Sequence, residues 1–224
     1  MDITKGIPEK YIYYKTDLGV LLKGCCLEIL PQLDIEVDLV LTDPPYGMNY
    51  QSNHRMNKHL KIANDHTSDV CNWVIDWSSK NVKKAGYFFC RWDFIYDFPK
   101  PKSLLTWVKN NWGMGDLEHE HARQWEGCLF YPYNDHKWKK GRPQDVILAD
   151  RTDNNLHPTQ KPVNLIKVML EWCDGLVLDP FGGSGTTAVA CESLNRRWIL
   201  IEKEQKYCDI AIERIKNEVQ YELF

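Results

Sequence analysis

The sequence predicts an α/β fold: a doubly wound, mostly parallel sheet with helices on both faces. Short apolar runs alternate with stretches of helical periodicity, the pattern of layered α/β domains. One apolar run leads into a glycine-rich turn and then a helical stretch, as at the ligand-binding turns of such sheets. The 224 residues, 43% of them hydrophobic, suffice for one sizeable core, so we expect a single domain over 1–224.

Six short apolar runs are predicted strands, because each has the length usual for a buried strand. They are Val37–Thr42, Gly86–Cys90, Leu104–Val108, Gly127–Tyr131, Gly175–Leu178 and Arg197–Ile201. Three other stretches carry apolar residues at helical spacing, and we interpret these residues as core. The helical stripes are Val70, Trp73, Val74 and Trp77; Val163, Ile166 and Leu170; and Tyr207, Ala211, Ile215 and Val219.

The composition argues against several classes of protein. The chain has no apolar run of about 18 residues, and its first residues do not resemble a secretory signal. We therefore expect a cytoplasmic protein with no membrane partner. None of the 8 cysteines stands in a C-x-x-C pair, and His119 and His121 have no third partner at metal-site spacing, so no metal is proposed.

Basic residues concentrate in two polar loops, 47–67 and 132–145. A formal charge of -3 argues against a basic coat over the whole protein but permits a local one. We name the denser group the basic stripe: His136, Lys137, Lys139, Lys140 and Arg142. The looser group includes Arg55 and Lys58. A solvated loop is the alternative interpretation of each group, and contact with nucleic-acid phosphates is the functional one.

The glycine-rich turn runs from Asp179 to Thr187, directly after an apolar strand. Gly183 and Gly185 lack the Cβ that would keep the backbone away from a bound cofactor. Glu202 ends the next strand, where a carboxylate can accept hydrogen bonds from ribose hydroxyls. No P-loop lysine follows the glycines, so a phosphate-cradling nucleotide hydrolase is disfavoured.

A second turn, Asp43-Pro44-Pro45-Tyr46, follows the strand Val37–Thr42. An exocyclic amino group is a poor nucleophile because its lone pair is delocalised into the ring. A carboxylate and a carbonyl that accept its two hydrogens favour a more reactive nitrogen. We therefore expect Asp43 and the Pro44 carbonyl to bind such a group, with Pro45 stiffening the turn and Tyr46 offering a face for base stacking. A plain β-turn remains the structural alternative.

Three motifs together resemble the amino-group DNA methyltransferases of the β arrangement. They are DPPY at 43–46, HPTQKP at 157–162 and DPFGGSGTT at 179–187. In that family the DPPY segment precedes the glycine turn and a target-recognition insert lies between them, which is the order found here. The resemblance implies the Rossmann-like class I methyltransferase fold, with a catalytic half at about 20–131, a short insert at about 132–156 and a cofactor half at about 157–224.

The resemblance also implies a cofactor, S-adenosyl-L-methionine, and the residues that hold it. Thr159 and Lys161 would close over the methionine end of the cofactor, whose carboxylate suits the helix N-terminus near Pro162. The implied cofactor residues are Asp179, Phe181, Gly183, Gly185, Thr186, Thr187, Glu202, Thr159 and Lys161.

Two features depart from the family pattern. Cys25 stands where the family usually has an aspartate that contacts the cofactor adenine, and a thiol cannot accept a hydrogen bond as a carboxylate does. The insert is short, whereas direct readout needs several side chains at base edges, so a homodimer that reads double-stranded DNA stays open.

The resulting hypothesis is methylation of adenine N6 in a specific DNA sequence, within a restriction-modification system or as a phage or orphan modification. The adenine would be flipped out of the duplex, stacked on Tyr46 and held by Asp43. The alternatives are transfer to cytosine N4, RNA or a protein amide, and a catalytically idle DNA-binding module. Aspartate at 43 favours adenine, because the family's cytosine-N4 members more often carry serine there and its protein-glutamine relatives asparagine.

Overall fold

The computed structural model describes residues 3–45, 69–112, 118–151 and 160–221. The strands are Ile12–Lys15 (β1), Gly19–Lys23 (β2), Val37–Thr42 (β3), Val82–Cys90 (β4), Ser103–Val108 (β5), Trp125–Pro132 (β6), Val146–Leu148 (β7), Val177–Asp179 (β8) and Trp198–Glu202 (β9). The α-helices are Cys26–Ile29 (α1), Asp69–Asn81 (α2), Val163–Leu170 (α3), Thr186–Ser193 (α4) and Gln205–Tyr221 (α5).

These strands form one sheet in the order β1-β2-β9-β8-β3-β4-β6-β5-β7. The neighbours from β2 to β4 in that order run parallel, while β6 runs antiparallel to both β4 and β5. From β8 the chain passes through α4 to β9 on one side, and from β3 through α2 to β4 on the other side. The connections therefore diverge between the neighbours β8 and β3, and such a switch point is where open α/β sheets bind ligands.

Helices cover both faces of the sheet because its central strands are apolar on both sides. Leu39 and Leu41 of β3 face the layer of α3, α4 and α5, whereas Val40 faces the layer of α1 and α2. All three side chains are fully buried. A strand covered on both faces needs a continuous apolar run, which is why β3 was visible in the sequence.

The predicted fold class is confirmed, with local differences. All six predicted strands are present, but β4 begins at Val82 instead of Gly86. Its first residues include Lys83 and Lys84, whose ammonium groups pair with Glu36 at 2.6 Å and Asp38 at 3.2 Å. Charged side chains that find partners outside the core can occupy a strand without an apolar pattern.

The sequence prediction missed β1, β2 and β7. β1 lies at one edge of the sheet with alternating exposure, and β7 has 3 residues that pair with β5 at the other end. Edge strands need no continuous apolar run, which weakens their signal. Across the described ranges, no helix combines the length and apolar character that a bilayer crossing requires.

The predicted stripe on α2 was wrong in part. The buried residues of α2 are Cys71, Val74, Ile75 and Ser78, whereas Trp73 is 36% exposed. The buried face is rotated because small residues, among them Ser78 bonded to the Val74 carbonyl at 2.7 Å, pack closest to the sheet.

Candidate active site

A cleft opens between the carboxyl ends of β3 and β8, at the switch point. Its empty volume, which includes space open to solvent, is about 420 Å³. The lining comes from the turn after β3, from β4, from the segment before α3 and from the glycine-rich turn: Thr42, Asp43, Phe89, Gln160, Lys161, Ile166, Asp179, Phe181, Gly182, Gly183, Ser184, Thr186 and Thr187. The described parts of all three predicted motifs therefore meet in one cleft.

The Asp43 turn begins where β3 ends. The Asp43 side chain is 17% exposed and lines the cleft, while Pro44 and Pro45 are buried beneath it. Because the two prolines have no N–H, they add no backbone donors that could compete for the carboxylate. The turn thus presents an acceptor on a stiff support at the mouth of the sheet.

Lys161 lies at the centre of the cleft and contacts the Asp43 carboxylate. Its Nζ is 2.5 Å from Asp43 Oδ2 and 3.2 Å from a carboxylate oxygen of Glu126, and it lies 5.0 Å from the centre of the Phe89 ring. Lys161 is only 6% exposed. The family resemblance implies that Lys161 closes over the methionine end of the cofactor. In the structure its ammonium lies in the cleft between the carboxylates of Asp43 and Glu126.

The charges around Lys161 stabilise one another. Burial alone would lower the pKa of Lys161, but Asp43 and Glu126 outweigh it and the pKa is raised. Burial likewise would raise the pKa of Glu126, yet the ammonium groups of Lys161 and Lys109 hold it at about 2. Lys109 Nζ is 2.5 Å from Glu126 Oε1. The four side chains therefore alternate in sign, and the opposite charges beside Lys161 and Glu126 favour the ionised form of each.

Glu126 and Lys109 were not predicted, although the sequence carries a signal for each. Glu126 shares a face of β6 with the buried residues Cys128 and Phe130, and Lys109 continues the face of β5 that holds Leu105 and Trp107. A charged residue in the core register of an apolar strand must find a partner when it is buried.

Asp179 organises the glycine-rich turn. Its Oδ1 accepts hydrogen bonds from Thr42 Oγ1 at 2.5 Å and from the Phe181 N–H at 3.1 Å, and its Oδ2 accepts one from Thr187 Oγ1 at 2.6 Å. The bond to Thr42 crosses the switch point. Burial raises the pKa of Asp179 to about 6, although these hydrogen bonds oppose the shift.

Glu202 ends β9 and supports the turn from the other side. The Gly183 N–H donates to Glu202 Oε2 at 2.7 Å, and the Glu204 N–H donates to Oε1 at 2.7 Å. Burial raises the pKa of Glu202 to about 7, while these N–H donors lower it. Gly183 has a φ of +50° and lines the cleft, as expected for a residue where the backbone approaches a ligand.

Gly185 differs from its expected role. A Cβ there would lie 2.7 Å from the Cβ of Ala211 on α5, and Gly185 has a φ of +81°. Gly185 is absent from the lining of the cleft, so glycine is required there for helix packing and backbone conformation.

Arg214, also on α5, clamps the same turn. Its guanidinium is 4% exposed and donates to the Ser184 carbonyl at 3.0 Å and to Thr186 Oγ1 at 3.0 Å, and its Nε pairs with Glu218 Oε1 at 2.6 Å. The predicted hydroxyls of Thr186 and Thr187 are thus engaged by Arg214 and Asp179. The missed signal was an arginine among the apolar residues of the α5 stripe.

The basic stripe lies away from the cleft. Lys139 pairs with Asp174 at 2.8 Å and Lys140 with Glu171 at 3.3 Å, in the segment between α3 and β8. That segment is at the edge of the sheet opposite Asp43, because α3 begins beside Lys161 and runs away from it. Lys137 and Arg142 are exposed in the same loop. The structure therefore does not bring the stripe together with Asp43.

Cys25 is the N-cap residue of α1 and follows Gly24, whose N–H donates to the Glu202 carbonyl at 2.9 Å. Cys25 therefore lies near the end of β9. Tyr46, Arg55, Lys58 and Thr159 lie outside the described residues, and their roles stay predictions. Within the described ranges, no group of three or more His, Cys, Asp or Glu side chains could hold a metal ion.

Known proteins are similar to this chain in both sequence and architecture. A family model for N6 and N4 methyltransferases, described as DNA methylase, matches residues 135–213. The type II methyltransferase M.BamHI of Bacillus amyloliquefaciens is 27% identical over 95% of this chain and 60% of its own length. The type II methyltransferase M.HinfI of Haemophilus influenzae is 27% identical over 89% of this chain and 69% of its own length.

A solved structure agrees with the fold. The crystal structure of the M1.HpyAVI–SAM complex superimposes with a TM-score of 0.69 at 24% identity, covering 88% of this chain and 100% of that chain. The chain spans 60% of the length of M.BamHI, so that relative carries a substantial part with no counterpart here.

Proposed function

We propose that this chain is a DNA methyltransferase similar to the N6 and N4 methylases, which transfers a methyl group from S-adenosyl-L-methionine to the N6 of adenine in DNA. One observation carries the proposal. The Asp43 turn and the glycine-rich turn line the same cleft, so an acceptor for an amino group and a backbone cradle for a cofactor face one space. Holding two reactants close together in the right orientation accounts for much of the rate acceleration of such a reaction.

The residues of the cleft fit the proposed cofactor. Phe181 and Ile166 offer apolar surface for an adenosyl group, and Gly182 and Gly183 let the backbone come close. A sulfonium is cationic, and the carboxylate of Asp179 lines the same cleft. Glu202 supports Gly183 and ends the strand beside the turn, where its carboxylate can also accept ribose hydroxyls. When bound, the cofactor supplies an electrophilic methyl group.

The chain's own contribution to the reaction is orientation. In the proposal, Asp43 accepts one hydrogen of the adenine amino group and the Pro44 carbonyl accepts the other, which increases the electron density on the nitrogen. The buried prolines hold both acceptors in place. Tyr46 is proposed to stack on the extruded base, and the surrounding apolar side chains to exclude water.

DNA is the proposed partner because the edge of the sheet that holds Asp43 also exposes large aromatic side chains. Trp92 follows β4 and is 50% exposed, Trp112 follows β5 and is 66% exposed, and Trp125 begins β6 and is 38% exposed. Aromatic faces beside a catalytic cleft suit unstacked bases. Contact of the basic stripe with phosphates remains part of the proposal, and such a contact would lie away from the Asp43 edge. A homodimer that reads a longer DNA site and a cytoplasmic location are also proposed.

A cytosine-N4 methyltransferase is the second candidate function. The matching family includes both N6 and N4 enzymes, and both amino groups need the same pair of acceptors. Asp43 is the feature that favours adenine within the family, and its partly buried side chain lines the cleft.

The test is direct identification of the product. The wild-type protein is incubated with duplex DNA and methyl-labelled S-adenosylmethionine, and the DNA is then digested to nucleosides for mass analysis. N6-methyladenine is the expected product. N4-methylcytosine would favour the second candidate, and no methylated nucleoside on DNA of varied sequence would contradict both.

A further inference from the structure

Glu126 is linked to the cleft through Lys161. It belongs to β6, which is not part of any of the three motifs, yet its carboxylate lies 3.2 Å from the Lys161 ammonium. On its other side it pairs with Lys109, whose side chain is 10% exposed. Asp43, Lys161, Glu126 and Lys109 thus form one chain of alternating charge from the cleft into the sheet.

The strand register fixes Glu126 in that place. Cys90, the last residue of β4, pairs with Gly127, and Trp107 of β5 pairs directly with Glu126. Glu126 therefore stands at the carboxyl end of β4, the edge that carries Asp43. Its neighbours on the same face, Cys128 and Phe130, are buried, so the backbone holds Glu126 rigidly.

A buried ammonium shared between two carboxylates behaves differently from one bound to a single carboxylate. In the proposed reaction, the Asp43 carboxylate accepts a hydrogen bond from the target amino group and must stay negatively charged. If Glu126 also binds the ammonium, Lys161 can lean toward Glu126 as the amino group arrives, and it does not become an uncompensated buried charge. With a neutral side chain at 126, Lys161 would depend more heavily on Asp43 and compete with the substrate.

We propose that Glu126 is a positioning residue for methyl transfer, which shares the Lys161 ammonium and so keeps the Asp43 carboxylate available to the target amino group. This inference rests on the proposed function. Glu126 is proposed to contact neither reactant. Its loss should therefore change the rate of methyl transfer and leave the affinity for the cofactor unchanged.

The test is the isosteric substitution Glu126→Gln, with single-turnover methylation and calorimetric cofactor binding measured on the same preparation. We expect the transfer rate to fall by about tenfold or more while the cofactor Kd changes by less than about threefold, a loss confined to the transition state. Glu126→Asp keeps the charge and should recover part of the rate. If Glu126→Gln does not fold, Glu126→Ala takes its place: a slowed rate with intact cofactor binding supports the proposal, and a wild-type rate overturns it.

Asp38→Asn is the matched control. Asp38 is a half-buried carboxylate that pairs with Lys84 at 3.2 Å, and it lies on β3 at the opposite end from Asp43. Its loss should lower stability and leave the transfer rate unchanged. A wild-type rate in Glu126→Gln, or a parallel loss of cofactor affinity and rate, overturns the inference while wild-type activity still upholds the proposed function. If the wild-type protein methylates no nucleoside, the proposed function fails and the inference fails with it.

Discussion

Asp43 enters the cleft already paired, and this gives its loss a specific expected signature. We expect Asp43→Ala to lower single-turnover methylation by about 100-fold or more, the scale reported for removing one preorganised group at a reacting centre. The cofactor Kd should stay near the wild-type value, because Lys161 keeps its second carboxylate, Glu126, at 3.2 Å. Near wild-type methylation by Asp43→Ala would contradict the assigned role, whatever the fold.

Glu202 gives cofactor binding a pH dependence. Its pKa in the free protein is raised to about 7 by burial, and hydroxyl donors in a complex would favour the ionised form. Cofactor affinity should therefore weaken as the pH falls from 8 to 6.5, above the pKa of about 6 of Asp179. Calorimetric titration across this range checks the expectation, and Glu202→Gln should flatten the dependence. A wild-type affinity that does not change with pH would oppose the ribose role of Glu202.

The same raised pKa of Glu202 makes the stability of the free protein change with pH in the opposite direction: stability falls as the pH rises. The folded pKa lies above the ordinary value of 4.5, so between about pH 4.5 and 7 the folded state binds a proton that the unfolded state has lost. Glu202 therefore contributes stability at low pH that disappears as the pH rises toward 7. Denaturant titrations of the wild type and of Glu202→Gln at both ends of that window separate this contribution from that of other groups.

At the level of residues, the sequence predicted which motif residues line the cleft better than it predicted the contacts between distant residues. Asp43, Phe181 and Gly183 line the cleft as expected, because their motifs carry a fixed local geometry. Glu126 and Arg214 were missed, because their partners lie far away in sequence. Arg214, for example, binds Ser184, 30 positions earlier. Long-range pairing of buried charges depends on how the strands align, and no local sequence pattern predicts that alignment.

At the level of elements, α5 acts on the glycine turn through Arg214 and Ala211. We expect Arg214→Met to lower the free energy of unfolding by about 3 kcal/mol, since it leaves the Ser184 carbonyl and the Thr186 hydroxyl without their buried donor. The cofactor affinity should fall as well, because the turn loses its support. Denaturant unfolding and calorimetry provide the two measurements.

Lys80→Met is the control for Arg214→Met. Lys80 also forms an ion pair at helical spacing, with Asp76 at 2.6 Å, but its side chain is 66% exposed. An exposed pair of this kind contributes about 0.5 kcal/mol or less. Equal losses in the two variants would show that the buried clamp has no special role.

The elements themselves were predictable where a buried face was continuous and unpredictable where it was not. β3 was identified with both ends correct, because it is covered on both faces. The face of α2 was assigned wrongly in part: Cys71, Ile75 and Ser78 are buried on it, whereas Trp73 is 36% exposed.

At the level of the whole molecule, exposed aromatic side chains and acidic cleft residues share one edge of the sheet. We expect Trp112→Ala to weaken DNA binding by about 1–3 kcal/mol, the scale of one base stacked on an aromatic ring. Trp73→Ala on the outer face of α2 is the control and should leave the affinity unchanged. Fluorescence anisotropy with labelled duplex at fixed ionic strength measures both, and equal affinities for Trp112→Ala and wild type would remove this edge from the proposed DNA surface.

The cleft is assembled by pairs that lie far apart along the chain. Asp43 and Lys161 are separated by 118 positions, and Thr42 and Asp179 by 137. During synthesis the Asp43 turn is made early, at a rate of about 5–20 residues per second, and then waits several seconds for its partners. Arg214, which clamps the glycine turn, comes later still. The cleft of a growing chain therefore lacks part of its support until Arg214 has been made.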